Sequence, residues 1–117
     1  MKRVLITGSR EHRDKELIWG ELDALRASIG DFILIEGGAS GADRIGRQWA
    51  RSCGLPVATV EADWKTYRRR GGHVRNGWMV SLEPHFALAF PIGASQGTRN
   101  CIDQLQRART ALRVVES

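Results

Sequence analysis

The chain has 117 residues, of which 42% are apolar and 26% charged, with a formal net charge of +5. That length suits a single domain over residues 1–117 with one buried core, and the composition excludes disordered and fibrous classes. No apolar run approaches the roughly 20 residues that span a bilayer.

In chain order, the opening MKRVLITG breaks at glycine too soon for a signal peptide and reads as a first strand, Val4 to Thr7. Asp14 then caps a helix whose apolar stripe is Ile18, Leu22, Leu25 and Ile29, with Gly30 as its stop. A second strand, Phe32 to Glu36, leads through glycines to a helix carrying Ala42, Ile45, Trp49 and Cys53, ended by Gly54 and Pro56. A third strand spans Val57 to Val60. The next helix, around Gly72 to Leu82, carries Val74, Trp78 and Leu82. A fourth strand, Phe86 to Phe90, precedes a helix with Cys101, Ile102, Leu105, Ala108 and Leu112, and a fifth covers Arg113 to Val115. Alternating strands and helices, with continuous apolar strand runs, predict an α/β fold: a mainly parallel sheet with helices on both faces. Cys53 and Cys101 fall at apolar helical positions and read as buried thiols in a reduced, cytoplasmic setting.

Glycine-rich or polar segments follow four consecutive strands: Gly8-Ser9-Arg10, Gly37-Gly38-Ala39-Ser40-Gly41-Ala42, Glu61-Ala62-Asp63-Trp64, and Pro91 through Gly97-Thr98. In a parallel sheet these strand ends share one edge, where open α/β sheets bind ligands. Glycines let backbone approach a ligand, and helix N-termini present free N–H groups, so these loops predict a shared cradle for an anion. Ser9, Ser40 and Thr98 add hydroxyls, and Arg10 adds charge. Ser40 and Asp43, three residues apart at a helix start, also fit a capping box, a role that Asp43 can combine with ligand contact.

A second segment, ADWKTYRRRGGHVRNGWM, combines Trp64 and Tyr67, which can stack a base, with Arg75, which can bind phosphate; Asn76 sits beside it. No glycine loop ends in Gly-Lys-Ser/Thr, and the first strand is not followed by G-x-G-x-x-G, so a P-loop and a conventional NAD-binding unit are disfavoured. No His/Cys/Asp spacing suggests a metal site, and no cofactor is expected.

Taken together, Ile6 to Arg10, Gly37 to Asp43 with Trp49-Ala50, Ala62-Asp63-Trp64, Gly72 through Arg75-Asn76 to Met79, and Phe90-Pro91 through Gly97-Thr98 resemble the SLOG superfamily. This is the Rossmann-like group named for SMF/DprA and Lonely-guy proteins, and the likeness is greatest to its YspA- and YpsA-related branch. The resemblance implies a Rossmann-like three-layer sandwich with a five-stranded sheet of order 3-2-1-4-5 and a nucleotide-type ligand at the carboxyl edge. Lonely-guy enzymes hydrolyse nucleoside monophosphates with an arginine in an Arg-Lys/Asn-x-x-Met helix, a P-G-G-x-G-T loop and a glutamate three residues after its threonine. Arg75 and Met79 match the helix and Gly97-Thr98 the loop end, but Pro91-Ile92-Gly93 lacks a glycine and Cys101 stands at the glutamate position. A cysteine cannot replace a carboxylate in glycosidic cleavage.

The leading expectation is therefore a nucleotide-binding domain. Its phosphate would be held by Gly8-Ser9-Arg10, Gly37 to Ala42 and Gly97-Thr98, with Arg75 as counter-charge. One alternative is a phosphoribohydrolase-like enzyme using Arg75 with Asp43, Glu36 or Asp63 as the carboxylate. Another is nucleic-acid binding, suggested by the arginine-rich charge and by DprA. Lonely-guy relatives form dimers, and Trp19, Trp49 and Trp78 exceed the needs of one small core, so a homodimer is expected too.

Overall fold

The computed structural model describes residues 1–117. Its elements in chain order are β1 (Lys2–Gly8), α1 (Lys15–Ile29), β2 (Phe32–Glu36), α2 (Ala42–Ser52), β3 (Val57–Thr59), the short α3 (Trp64–Tyr67), a 3-10 turn at Arg68–Arg70, α4 (Gly71–Ser81), β4 (Phe86–Phe90), α5 (Gln96–Arg107) and β5 (Ala111–Val114). All strand pairs are parallel, in the order β3-β2-β1-β4-β5. The chain thus has the five-stranded Rossmann-like α/β fold predicted for it.

Strand alternation divides the core into two layers. Val4 and Ile6 of β1 face one side, where Ile18 and Leu22 of α1 and Trp49 of α2 cover them. Leu5 faces the other side, packing with Met79 of α4 and with Cys101 and Leu105 of α5. The central strands are buried on both faces, which explains why their sequences are continuously apolar instead of alternating. Register places Leu5 opposite both Ile35 and Ala87, and Gly8 opposite Phe90. The carboxyl ends of β1, β2 and β4 therefore lie along one edge.

Local signals set the start and stop of α1. The Asp14 side chain accepts a hydrogen bond from the Leu17 N–H at 3.0 Å, and Gly30, with φ of 85°, ends the helix. The apolar stripe at Val74, Trp78 and Leu82 behaves otherwise. α4 buries Gly71, Asn76 and Met79 instead, leaving Trp78 39% and Leu82 43% exposed. The buried face is the one that meets α5 and the strand-end edge, and it carries an asparagine for that reason. The last helix is also shorter than its apolar period suggested. It ends at Arg107, and Leu112 belongs to β5, which begins two residues before the predicted Arg113.

Of Trp19, Trp49 and Trp78, only Trp78 is left open to solvent. Trp49 is buried, stacked on Phe32 at 5.6 Å between ring centroids, with its Nε1 donating to Asp23 at 2.7 Å. Trp19 is half-buried and donates from Nε1 to the Ile45 carbonyl at 3.2 Å. No helix is long and apolar enough to cross a membrane.

Candidate functional site

The loops after β1 and β4 meet across the sheet edge and, with α4, enclose a cleft of about 320 Å³. From the first loop come Gly8, Ser9 and Arg10; from the last come Ser95, Gln96, Gly97 and Thr98. Ala39 and Asp43 contribute from the β2–α2 connection, Trp64 and Arg69 from the segment before α4, and His73, Arg75 and Asn76 from α4 itself. Gly8 is required here by close approach: a Cβ would collide with Ala42 and with the Phe90 backbone.

The start of α5 leaves its backbone amides open. Its cap residue Ser95 makes no side-chain bond to the helix backbone, and its hydroxyl pairs with Thr98 Oγ1 at 2.9 Å instead. The N–H groups of Gln96, Gly97 and Thr98 have no partner in the protein. Such groups carry the positive end of the helix dipole.

The glycines after β2 are arranged differently. Asp43 Oδ2 accepts from the Gly37 N–H at 3.0 Å and the Ala39 N–H at 3.3 Å, while Glu36 Oε1 accepts from the Gly38 N–H at 2.7 Å. The protein's own carboxylates fill this cradle. Consequently the Ser40–Asp43 capping box does not form. Gly41, at φ 73° and wedged against the Ser9 and Arg10 backbone, is the N-cap and makes no side-chain cap bond, and Ser40 Oγ donates weakly to the Arg10 carbonyl at 3.4 Å. Gly37, Gly38 and Ser40 line an adjoining groove of about 300 Å³, shared with Arg10, Glu61, Trp64 and Arg75. Ala42 is buried beneath Gly8, and neither it nor Gly41 lines the cleft. Pro91 is likewise buried outside it; its carbonyl accepts from the Ser117 N–H.

The three candidate carboxylates separate cleanly. Glu36 is fully buried below the loop, ion-paired to Arg47 at 2.9 Å and accepting from the Thr59 hydroxyl. Asp63 caps α3, accepting from the Thr66 N–H at 3.0 Å. Neither reaches the cleft. Asp43 does line it, although only 5% exposed. Burial pushes its carboxyl up to about 6, with the Glu36 charge adding to the rise; Arg75 and the two amide hydrogen bonds oppose it. Asp43 thus keeps its proton to a higher pH than an ordinary carboxyl.

Arg75 donates from Nη1 to the Gly37 carbonyl at 2.5 Å and from Nε to Asn76 Oδ1 at 3.1 Å, which fixes its guanidinium between cleft and groove. Asn76 in turn donates from Nδ2 to the Gly97 carbonyl at 3.1 Å and to Asn100 Oδ1 at 3.2 Å, tying α4 to the start of α5. Trp64 is 47% exposed, with the Arg10 guanidinium 5.5 Å above its ring. Tyr67 turns away and meets Trp78 edge-on at 5.9 Å. Cys101 is wholly buried, and burial pushes its thiol up to about 11, so it is neutral and inert. No group of three or more His, Cys, Asp or Glu is arranged to hold a metal ion. Arg69, Ser95 and Gln96 also line the cleft, although none is among the ligand contacts expected from the sequence. Their signals there are a run of three arginines, Arg68 to Arg70, before α4 and a place inside the Pro91-to-Thr98 loop.

A model of the YspA, cpYpsA-related SLOG family matches residues 2–67, more than half of the chain. The chain belongs to that family. The matched stretch takes in the glycine loops after β1 and β2, together with Trp64, and stops short of the loop before α5. The Gene 61 protein of Mycobacterium phage D29 is 41% identical over 114 residues, spanning 92% of this chain and 91% of that protein. The X-ray structure of TM1055 superposes with a TM-score of 0.70 at 17% identity, covering 96% of this SLOG chain and 72% of that chain; the likeness is one of fold.

Proposed function

We propose that the cleft binds a nucleotide or nucleotide derivative, with its phosphate at the start of α5 and its base against Trp64. One observation carries the reading: unpartnered helix amides, three arginines (Arg10, Arg69 and Arg75) and an exposed indole converge on one cavity. The amides and guanidiniums suit a phosphate, and the indole suits a base. Calorimetric titration with AMP, ADP-ribose, NAD and cyclic nucleotides tests it. At least one binds, and Arg10→Ala weakens that ligand about tenfold or more, the loss of one charge-assisted contact. Absence of binding across the panel contradicts the proposal.

The position of Asp43 favours a second reading, hydrolysis of an N-glycosidic bond. Its carboxylate would take a proton from water as the water oxygen bonds to the anomeric carbon and the base leaves with the glycosidic electron pair. Cys101, at the Lonely-guy glutamate position, has no charge to contribute. Chromatography of nucleoside monophosphates after incubation with the protein decides the matter. Released base that is lost in Asp43→Asn supports hydrolysis, and turnover surviving that change excludes Asp43. The outward stripe of Trp78 and Leu82 is the face we assign to the expected homodimer, and light scattering of Trp78→Glu against the unaltered protein tests it.

A further inference from the structure

The cleft leaves a second basic surface unexplained. α2 turns Ala42, Gly46 and Trp49 inward, so Arg44, Gln48 and Arg51 face solvent. Arg13 and Lys15 approach from the other side, around the start of α1. Two concavities of about 480 and 490 Å³ join here, sharing Ser40, Arg44 and Gln48, and Arg10 belongs both to the first of them and to the nucleotide cleft. None of Arg10, Arg13, Lys15, Arg44 and Arg51 forms an ion pair, whereas Arg26, Arg47, Arg99, Arg107 and Arg113 each hold a carboxylate. Glu11 is the single acid lining either concavity. Unpaired cations along one connected trough repel one another unless a polyanion lies among them.

We propose that this trough binds the backbone of a single-stranded nucleic acid, which passes the cleft at Trp64. Arg44 and Arg51 lie about two turns apart on α2, roughly 10 Å along its axis, and Arg10 lines the same concavity as Arg44, so the charges are spread widely enough to suit successive phosphates better than one. A single strand is favoured because only an unpaired base can stack on the exposed Trp64 ring. A lipid surface fits poorly: the exposed large apolar residues are Met1, Trp64, Trp78, Leu82 and Ile92, none of them on α2, so this face lacks the apolar anchor that interfacial binding uses. The inference goes beyond the cleft reading, and the two are measured with different ligands.

The test is fluorescence anisotropy of a labelled 12-nucleotide DNA strand across a salt series, beside calorimetry with the mononucleotide that fills the cleft. Five phosphate contacts give a slope of log affinity against log salt of about −3.5. Arg44→Ala combined with Arg51→Ala brings that slope to about −2 and weakens the oligonucleotide about tenfold or more, leaving mononucleotide affinity unchanged. Gln48→Glu, a surface change that places a repelling charge in the trough, weakens it as well. A slope unaltered by the double substitution overturns the proposal, as does duplex DNA binding as tightly as the single strand, or a preference for phosphatidylserine vesicles over the oligonucleotide. Oligonucleotide binding that responds to Arg44 and Arg51 while no mononucleotide binds supports the trough and sinks the cleft reading alone.

Discussion

The loop after β2 and the loop before α5 look alike as strings: each is short, glycine-rich and polar, follows a buried strand and opens a helix. In the fold they do opposite things. The first closes on Asp43 and Glu36, so the Gly37, Gly38 and Ala39 amides already hold negative charge from the protein itself. The second has no acid in its first turn and leaves the Gln96, Gly97 and Thr98 amides unpartnered. Whether a glycine loop is a ligand cradle or an internal brace depends on whether a carboxylate is within reach of its N–H groups.

Asp43 gives the sharpest way to break that contrast. Its carboxyl rises from an ordinary 3.8 to about 6 on folding. The folded chain therefore holds a proton there between about pH 4 and 6 that the unfolded chain has released. Stability from this group is full below about pH 4 and is lost as pH rises through about 6, by about 3 kcal/mol in total. Urea unfolding of Asp43→Asn lacks this decline, so its stability relative to the unaltered protein grows from pH 4 to pH 7.5. A constant difference across that range would mean that Asp43 is not buried against its neighbours as described.

A slightly smaller effect isolates the brace itself. Asparagine keeps an oxygen for the Gly37 and Ala39 amides and alanine does not, so Asp43→Ala unfolds with about 2 kcal/mol less stability than Asp43→Asn at any pH. Equal stabilities would show that those amides need no acceptor. The open loop responds in the other currency. Thr98→Val, at a residue only 5% exposed, changes unfolding by less than about 1 kcal/mol but weakens nucleotide binding about tenfold. Calorimetry beside thermal melting separates the two effects.

Most of the architecture was legible because the central strands are short and apolar throughout, and because Asp14, Gly30 and Gly54 punctuate the helices with side-chain and backbone chemistry that acts locally. The edge of the sheet was less so. β5 alternates exposed and half-buried residues, and Arg113 there pairs with Glu21 across 92 positions, a contact no local pattern announces. α4 misleads for a related reason: its apolar stripe is not its buried face, since the strand-end edge needs Asn76 to bridge Gly97 and Asn100. At the site, the sequence indicated which loops share an edge. It could not show that Asp43 bonds back to Gly37, since spacing in the sequence fits a cap equally well, nor that Glu36 and Asp63 are already engaged elsewhere.

Amide chemical-shift mapping during titration with a bound nucleotide tests the central assignment most directly. The largest shifts should fall on Gln96, Gly97, Thr98 and Arg10, with Gly37 and Ala39 nearly still because Asp43 already occupies them. Large shifts at Gly37 and Ala39, with Gln96 to Thr98 unmoved, would contradict it.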